Sequence, residues 1–148
     1  APMAERKREP IPTQIREYQP SDYIDIKKIL EEGGLFDEDW DSERNLRAKI
    51  ERDPESILVA VADNKVVGNV YFVQDGWASF IFRMAVREEY REQGIGSKLL
   101  SEAETRLKQR GVKEVALFTD DLNFELLAFY AKRGYQNGGP YRSMWKKL

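Results

Sequence analysis

Tyr90-Arg91-Glu92-Gln93-Gly94-Ile95-Gly96-Ser97 stands between a strand-like run, Ile81 to Val86, and a run of helical period, Lys98 to Arg110. Gly94 and Gly96 carry no side chain, so a ligand can come close to the backbone there, and the N–H groups that follow belong to the unsatisfied first turn of a helix. Those groups and the helix dipole favour negative charge, which makes a phosphate or pyrophosphate the natural guest. Two readings stay open on this octapeptide alone: an anion cradle, or a tight strand-to-helix turn that needs two glycines. It is not a P-loop, since Gly96-Ser97-Lys98 has neither the order nor the spacing of that motif. Nor is it a dinucleotide fingerprint. That motif needs a third glycine where Leu99 stands, and it needs the strand to run almost directly into the first glycine, whereas seven residues separate Val86 from Gly94.

Outward from this loop the chain reads as alternating element types. Thr13 to Tyr18 has strand character, and Pro20-Ser21-Asp22 supplies a stop and an N-cap for a helix carrying Tyr23, Ile26, Ile29 and Leu30. Gly33-Gly34 closes that helix, and Ser42 to Arg52 reads as a second one. Ile57 to Ala62 and Val66 to Val73 are β-rich runs joined by the hairpin residues Asp63-Asn64-Lys65, and Ala78 to Val86 follows as a third antiparallel strand. Ile95, Leu99, Leu100, Ala103 and Leu107 form a helical stripe ended by Gly111. Val115 to Phe118 is expected as a short strand of the buried kind, Asn123 to Lys132 as an amphipathic helix stopped at Gly134, and Arg142 to Leu148 as a last strand closing the sheet after the Gly138-Gly139-Pro140 turn. The order β-α-α-β-β-β-α-β-α-β-β makes an α/β (α+β) fold, a mixed and mostly antiparallel sheet with helices on both faces.

Length and composition remove whole classes of chemistry. The 148 residues suit one ordinary domain, expected over 13–148 after a loose tail at 1–12, and Ala1-Pro2 ahead of Met3 reads as a remnant before a natural start. With no cysteine and no histidine, thiol nucleophiles, Ser-His-Asp triads, Cys/His zinc sites and imidazole acid-base catalysis are all excluded, and no metal site is expected. The balance of 24 basic and 26 acidic residues offers no general attraction to nucleic acid or an anionic membrane, and no apolar run is long enough to span a bilayer. A cytoplasmic location is the expectation.

Arg91-x-x-Gly94-x-Gly96 after a strand and a short polar loop resembles the acyl-CoA-binding motif of the GNAT acetyltransferase superfamily. Two further motifs carry the resemblance, which covers roughly Thr13 to Leu148. Asn123, followed seven residues later by Tyr130 and then by Gly134-Tyr135, is similar to the family's second motif; two helical turns place Asn123 and Tyr130 on one face. Leu126 departs from the alanine usual three residues after the asparagine. Met84-Ala85-Val86 matches the end of the family's fourth strand, whose backbone pairs with the pantetheine arm where a bulge splays the strand from its neighbour.

The resemblance implies direct transfer of an acetyl group from acetyl-CoA, the co-substrate, to an amine in a ternary complex. Met84, Ala85, Val86, Arg91, Glu92, Gln93, Gly94, Ile95, Gly96, Ser97, Asn123 and Tyr130 are then the expected cofactor-binding residues, with Tyr130 as the acid that protonates the departing thiolate. No general base is named: Phe80 and Phe118 stand at about the places where some members carry glutamate, and water relayed to Asp75, Asp120 or Asp121 is the substitute. A catalytically silent acyl-CoA-binding sensor or interaction module is the alternative, and monomer and homodimer both stay open. The stretch Glu31 to Glu43 holds seven acidic residues (Glu31, Glu32, Asp37, Glu38, Asp39, Asp41, Glu43) and no basic one. In the resembling fold it borders the acceptor side of the cleft, with Leu35, Phe36 and Trp40 as apolar walls, so a cationic acceptor is expected.

Overall fold

The computed structural model describes residues 10–148, and most of the expected tail lies outside them. The chain divides into two compact units, one ending at Leu117 and the other running from Phe118 to Leu148. The larger holds β1 (Gln14–Glu17), α1 (Tyr23–Glu32), α2 (Glu38–Asp41), α3 (Glu43–Arg52), β2 (Ile57–Ala62), β3 (Lys65–Gln74), β4 (Ser79–Val86), α4 (Ile95–Gln109) and β5 (Ala116–Leu117). Its single sheet has the order β1-β2-β3-β4-β5, antiparallel throughout except for the parallel pair β4 and β5.

Turn chemistry between two β-rich runs explains why the central hairpin sits where the sequence placed it. Ala62 pairs with Lys65, leaving Asp63 (φ 52°) and Asn64 (φ 60°) as a two-residue turn with both residues left-handed. That turn matches the twist of the strands it joins, and aspartate and asparagine tolerate its dihedrals better than other non-glycine residues. On one face of the sheet, Ile26, Ile29 and Leu30 of α1 and Leu46 of α3 bury themselves with Ile57, Val59, Val66 and Tyr71. The other face takes the α4 stripe, Ile95, Leu99, Leu100, Ala103 and Leu107, all buried. Each fully buried leucine contributes roughly 2 kcal/mol relative to exposure. Gly68 allows the helix this close, since a Cβ there would stand 3.1 Å from both Leu99 Cδ1 and the Ala85 carbonyl oxygen.

Several expectations need correcting. Asp22 does not cap α1 through its side chain; its carboxylate turns back to accept from the Gln19 N–H at 2.8 Å and from the Arg16 guanidinium at 2.8 and 2.9 Å. The acidic segment is not all loop, because Asp37 accepts from the N–H groups of Asp39 and Trp40 and so starts the one-turn helix α2. β5 is only two residues long and is not of the buried kind, Phe118 being 73% exposed. It is the edge of the sheet, so one side of its backbone has no strand neighbour among the described residues. The closing strand over 142–148 is absent too: no helix or strand forms from 135 to 148. There Tyr141, Met144, Trp145 and Leu148 do not alternate, so no single face can be buried, and all four are exposed. Pro140 lacks a donor, and the Tyr141 N–H turns back to the Gly139 carbonyl instead of joining a ladder.

Ion pairs hold α4 to the far end of β1 and β2. Arg106 donates to Glu17, Glu55 and Glu102, while Arg110 grips both oxygens of Asp53 at 2.6 and 2.7 Å and lies over the Phe72 ring. A bidentate, partly buried pair exceeds an ordinary surface pair, so Arg110→Ala should cost about 1–2 kcal/mol. The Arg110 guanidinium also holds the Asp53 carboxyl below its ordinary 3.8. A depressed folded-state value stabilises above the unfolded value, and the contribution disappears as pH falls through the folded one. The melting-temperature gap between wild type and Asp53→Asn should therefore be widest near neutrality and shrink on acidification below about pH 4.

Candidate functional site

β4 changes register part-way along. It pairs in order with β3 from Ser79↔Gln74 to Phe82↔Tyr71, then resumes at Ala85↔Asn69, so Arg83 and Met84 together face Val70 alone. This is a β-bulge, which re-aims the strand beyond it. Arg83 sits at φ 51°, a left-handed conformation that costs a side-chain-bearing residue about 1 kcal/mol or more. On its other edge β4 pairs with β5 only at Phe80 and Ile81, so the ladder stops short of the bulge. The Arg87 N–H donates to the Val67 carbonyl on the β3 side, and strand alternation then turns the Val86 N–H to the opposite edge. There the Val86 carbonyl oxygen accepts from Arg91 Nε at 3.0 Å. The larger unit thus brings Met84, Ala85 and Val86 into line with the loop that begins at Arg91.

The loop turns through two left-handed residues, Glu92 (φ 64°) and Gly94 (φ 78°). Gly94 is the N-cap of α4 and offers no side-chain cap to the donors of the first turn, at Ile95, Gly96 and Ser97. A Cβ built on Gly94 meets nothing within 4 Å. The space beside Gly94 is therefore open, as an anion cradle requires. Ile95 is buried and anchors the helix start, whereas the Gln93 Oε1 is buried without a partner among the described residues. Glu32 at the end of α1 steadies the approach by accepting from the Glu88 N–H and pairing with Arg87.

The smaller unit carries the other two expected residues on α5 (Phe124–Lys132). Asn123 is its N-cap, with Oδ1 accepting from the Leu126 N–H at 3.1 Å, so only the Nδ2 group is left over from the cap. Tyr130 is 8% exposed, packed edge-on against Phe129 and Tyr135. Desolvation pushes its phenol pKa above the ordinary 10.0, so the proton stays on at neutral pH.

The carboxylates named as relays fit less well. Asp75 accepts from the N–H groups of Trp77 and Ala78, bonds that hold its pKa below the ordinary value and tie it to a turn. Asp120 is likewise engaged by the Leu122 N–H. In the acidic segment Asp41 is 1% exposed and salt-bridged to Arg83, and Glu43 pairs with Arg47. Glu31, Glu38 and Asp39 face solvent. Of the expected walls, Leu35 and Trp40 are exposed, and Phe36 packs against the core with Lys27 over its ring.

The sequence profile of the Acetyltransferase (GNAT) family matches residues 14–135. The chain belongs to this family. Among similar curated proteins is an acetyltransferase of Yersinia enterocolitica, 28% identical over 123 residues that make up 83% of this chain and 87% of the relative. Among solved structures, the PaiA N-acetyltransferase of Thermoplasma acidophilum in complex with coenzyme A has the same fold, with a TM-score of 0.76 at 23% identity over 85% of this chain and 91% of that one. An aminoglycoside acetyltransferase from an uncultured soil metagenomic sample, in complex with trehalose, matches with a TM-score of 0.71 at 21% identity over 92% and 96% of the two chains. This GNAT chain is an acetyltransferase. Among the described residues no helix is long and apolar enough to cross a membrane.

Proposed function

We propose that this acetyltransferase, with 13–148 as its catalytic domain, moves an acetyl group directly from acetyl-CoA to a primary amine in a ternary complex. The observation that carries the reading is the opened end of β4: its second ladder stops at Ile81, and its strand, re-aimed by the bulge, runs into the Gly94-capped start of α4. Acetyl-CoA supplies an acetyl group activated as a thioester. The chain's own residues then have separate tasks. The first turn of α4 after Gly94 receives the pyrophosphate, and the backbone edge at Val86, beyond the end of the β5 ladder, orients the pantetheine arm and the thioester carbonyl. Tyr130 holds the proton that the departing sulfur takes. An α-amine of pKa ~8 is already roughly a tenth neutral at pH 7, so it loses its proton to water more readily than a lysine does.

For the acceptor we favour a cation: a basic peptide or protein amine, a polyamine or an aminoglycoside-like amine. The surface carboxylates Glu31, Glu38 and Asp39 support this, and an enzyme of similar fold is an aminoglycoside acetyltransferase. Clustered negative charge draws a cationic amine inward, and the attraction fades with ionic strength. The test neutralises Glu38 and Asp39 together and leaves the carboxylates of Asp37 and Asp41 in place. Glu38→Gln/Asp39→Asn should raise KM for a cationic amine by roughly three- to tenfold at low salt, leave KM for acetyl-CoA unchanged, and lose its effect as salt rises. A wild-type preference for neutral or acidic acceptors overturns the assignment.

A further inference from the structure

Asn69 lies in the middle of an apolar strand at 0% exposure, and its Oδ1 has no partner among the described residues. A buried amide with an orphaned oxygen costs stability, so its presence calls for something that its other end does. That end, Nδ2, donates to the carbonyl oxygen of Arg83 at 2.6 Å, at the residue where β4 bulges. Arg83 is held a second time by its side chain, which donates from Nε to Asp41 Oδ1 at 3.3 Å and meets Oδ2 at 3.2 Å. Asp41 is itself fixed, because Oδ2 accepts from the Asp37 N–H and its carbonyl accepts from the Tyr23 hydroxyl. A left-handed residue that is not glycine persists only where its surroundings over-determine it, and here both its main chain and its side chain are tied.

We propose that Asn69 is a positioning residue for the acyl donor: by holding the Arg83 carbonyl it fixes the bulge that aims the Met84 to Val86 edge at the pantetheine arm. The inference rests on the acetyl-CoA reading above. Without the Nδ2 donor, Arg83 can relax toward ordinary strand geometry, β3 and β4 come back toward continuous register, and the edge turns away from the cofactor.

The test titrates coenzyme A into full-length wild type, Asn69→Ala and Asn69→Ala/Arg83→Gly by calorimetry, with thermal melts of each. Asn69→Ala should weaken coenzyme A binding about tenfold, the size of one lost tether. Glycine takes a positive φ without a tether, so the double variant should regain affinity to within about threefold of wild type. It should melt lower still, because buried Asp41 has lost its guanidinium. Affinity that recovers while stability falls is a pattern no purely structural role produces. If Asn69→Ala cannot be obtained folded, Asn69→Leu fills the same volume without a donor and takes its place. Unchanged affinity in the single variant, or a folded double variant with no recovery, overturns the proposal. Failure of the wild type to bind coenzyme A overturns the acetyl-CoA reading and this inference with it.

Discussion

Tyr130→Phe should lower the rate of acetyl transfer by roughly 10²-fold while coenzyme A binds nearly as tightly as to wild type. The variant removes one oxygen from a ring held edge-on by Phe129 and Tyr135, so the packing that positions the ring remains. What goes, on the proposed mechanism, is the proton source for a leaving thiolate. Burial raises the Tyr130 pKa above 10.0, so the wild-type acid is fully protonated through the neutral range, and the rate should fall only as pH rises through that raised value. The alkaline limb of the profile should therefore lie above pH 10 and vanish in Tyr130→Phe. If the hydroxyl only satisfies local packing, the variant will lose stability and keep its turnover, and Tyr130 then has no part in the chemistry.

A second large effect is expected at Gly94. Gly94→Val should abolish measurable coenzyme A binding, whereas Gly96→Ala should leave it within a few-fold. At φ 78° a β-branched residue is strained, and its side chain would project into the open space beside Gly94, where the proposal puts the pyrophosphate. Gly96 is already inside the helix, where alanine is the better helix former. Melting curves separate loss of the cradle from loss of the fold, since the new Cβ meets nothing within 4 Å apart from its own chain neighbours and only the dihedral strain should register. Equal affinities in the two variants would mean that the loop is no more than a turn.

Local signals were enough to place the elements that build this site. The β-rich runs of β2 and β3 and the turn residues Asp63-Asn64 fixed the hairpin, and the spacing of Ile95, Leu99, Leu100, Ala103 and Leu107 fixed the buried face of α4. The two glycines marked the loop because only a residue without Cβ takes φ 78° cheaply. What the sequence hid depends on distant partners. Nothing in Ser79 to Val86 announces that Arg83 would be left-handed, because its tethers come from Asn69 on β3 and from Asp41, 42 positions away. Asp41 looked like one more solvated carboxylate in an acidic run until the fold gave it an arginine. Asn69, within Val66 to Val73, reads as a break in an apolar pattern, and that break was the one available sign of a special position. Toward the end of the chain, Arg142 to Leu148 was expected to close the sheet as a last strand, but a strand forms only where a face can be buried and a ladder partner exists.

The central claim, acyl transfer rather than silent cofactor binding, is tested most directly by following free thiol when purified protein is mixed with acetyl-CoA, with and without an amine. The amines should span peptide N-termini, lysine peptides, polyamines, aminoglycosides and free amino acids. The account predicts catalytic thiol release that requires the amine, is strongest with cationic ones, and falls roughly 10²-fold in Tyr130→Phe. Tight coenzyme A binding with no amine-dependent thiol release across all these classes would contradict it and leave a cofactor-binding module in its place.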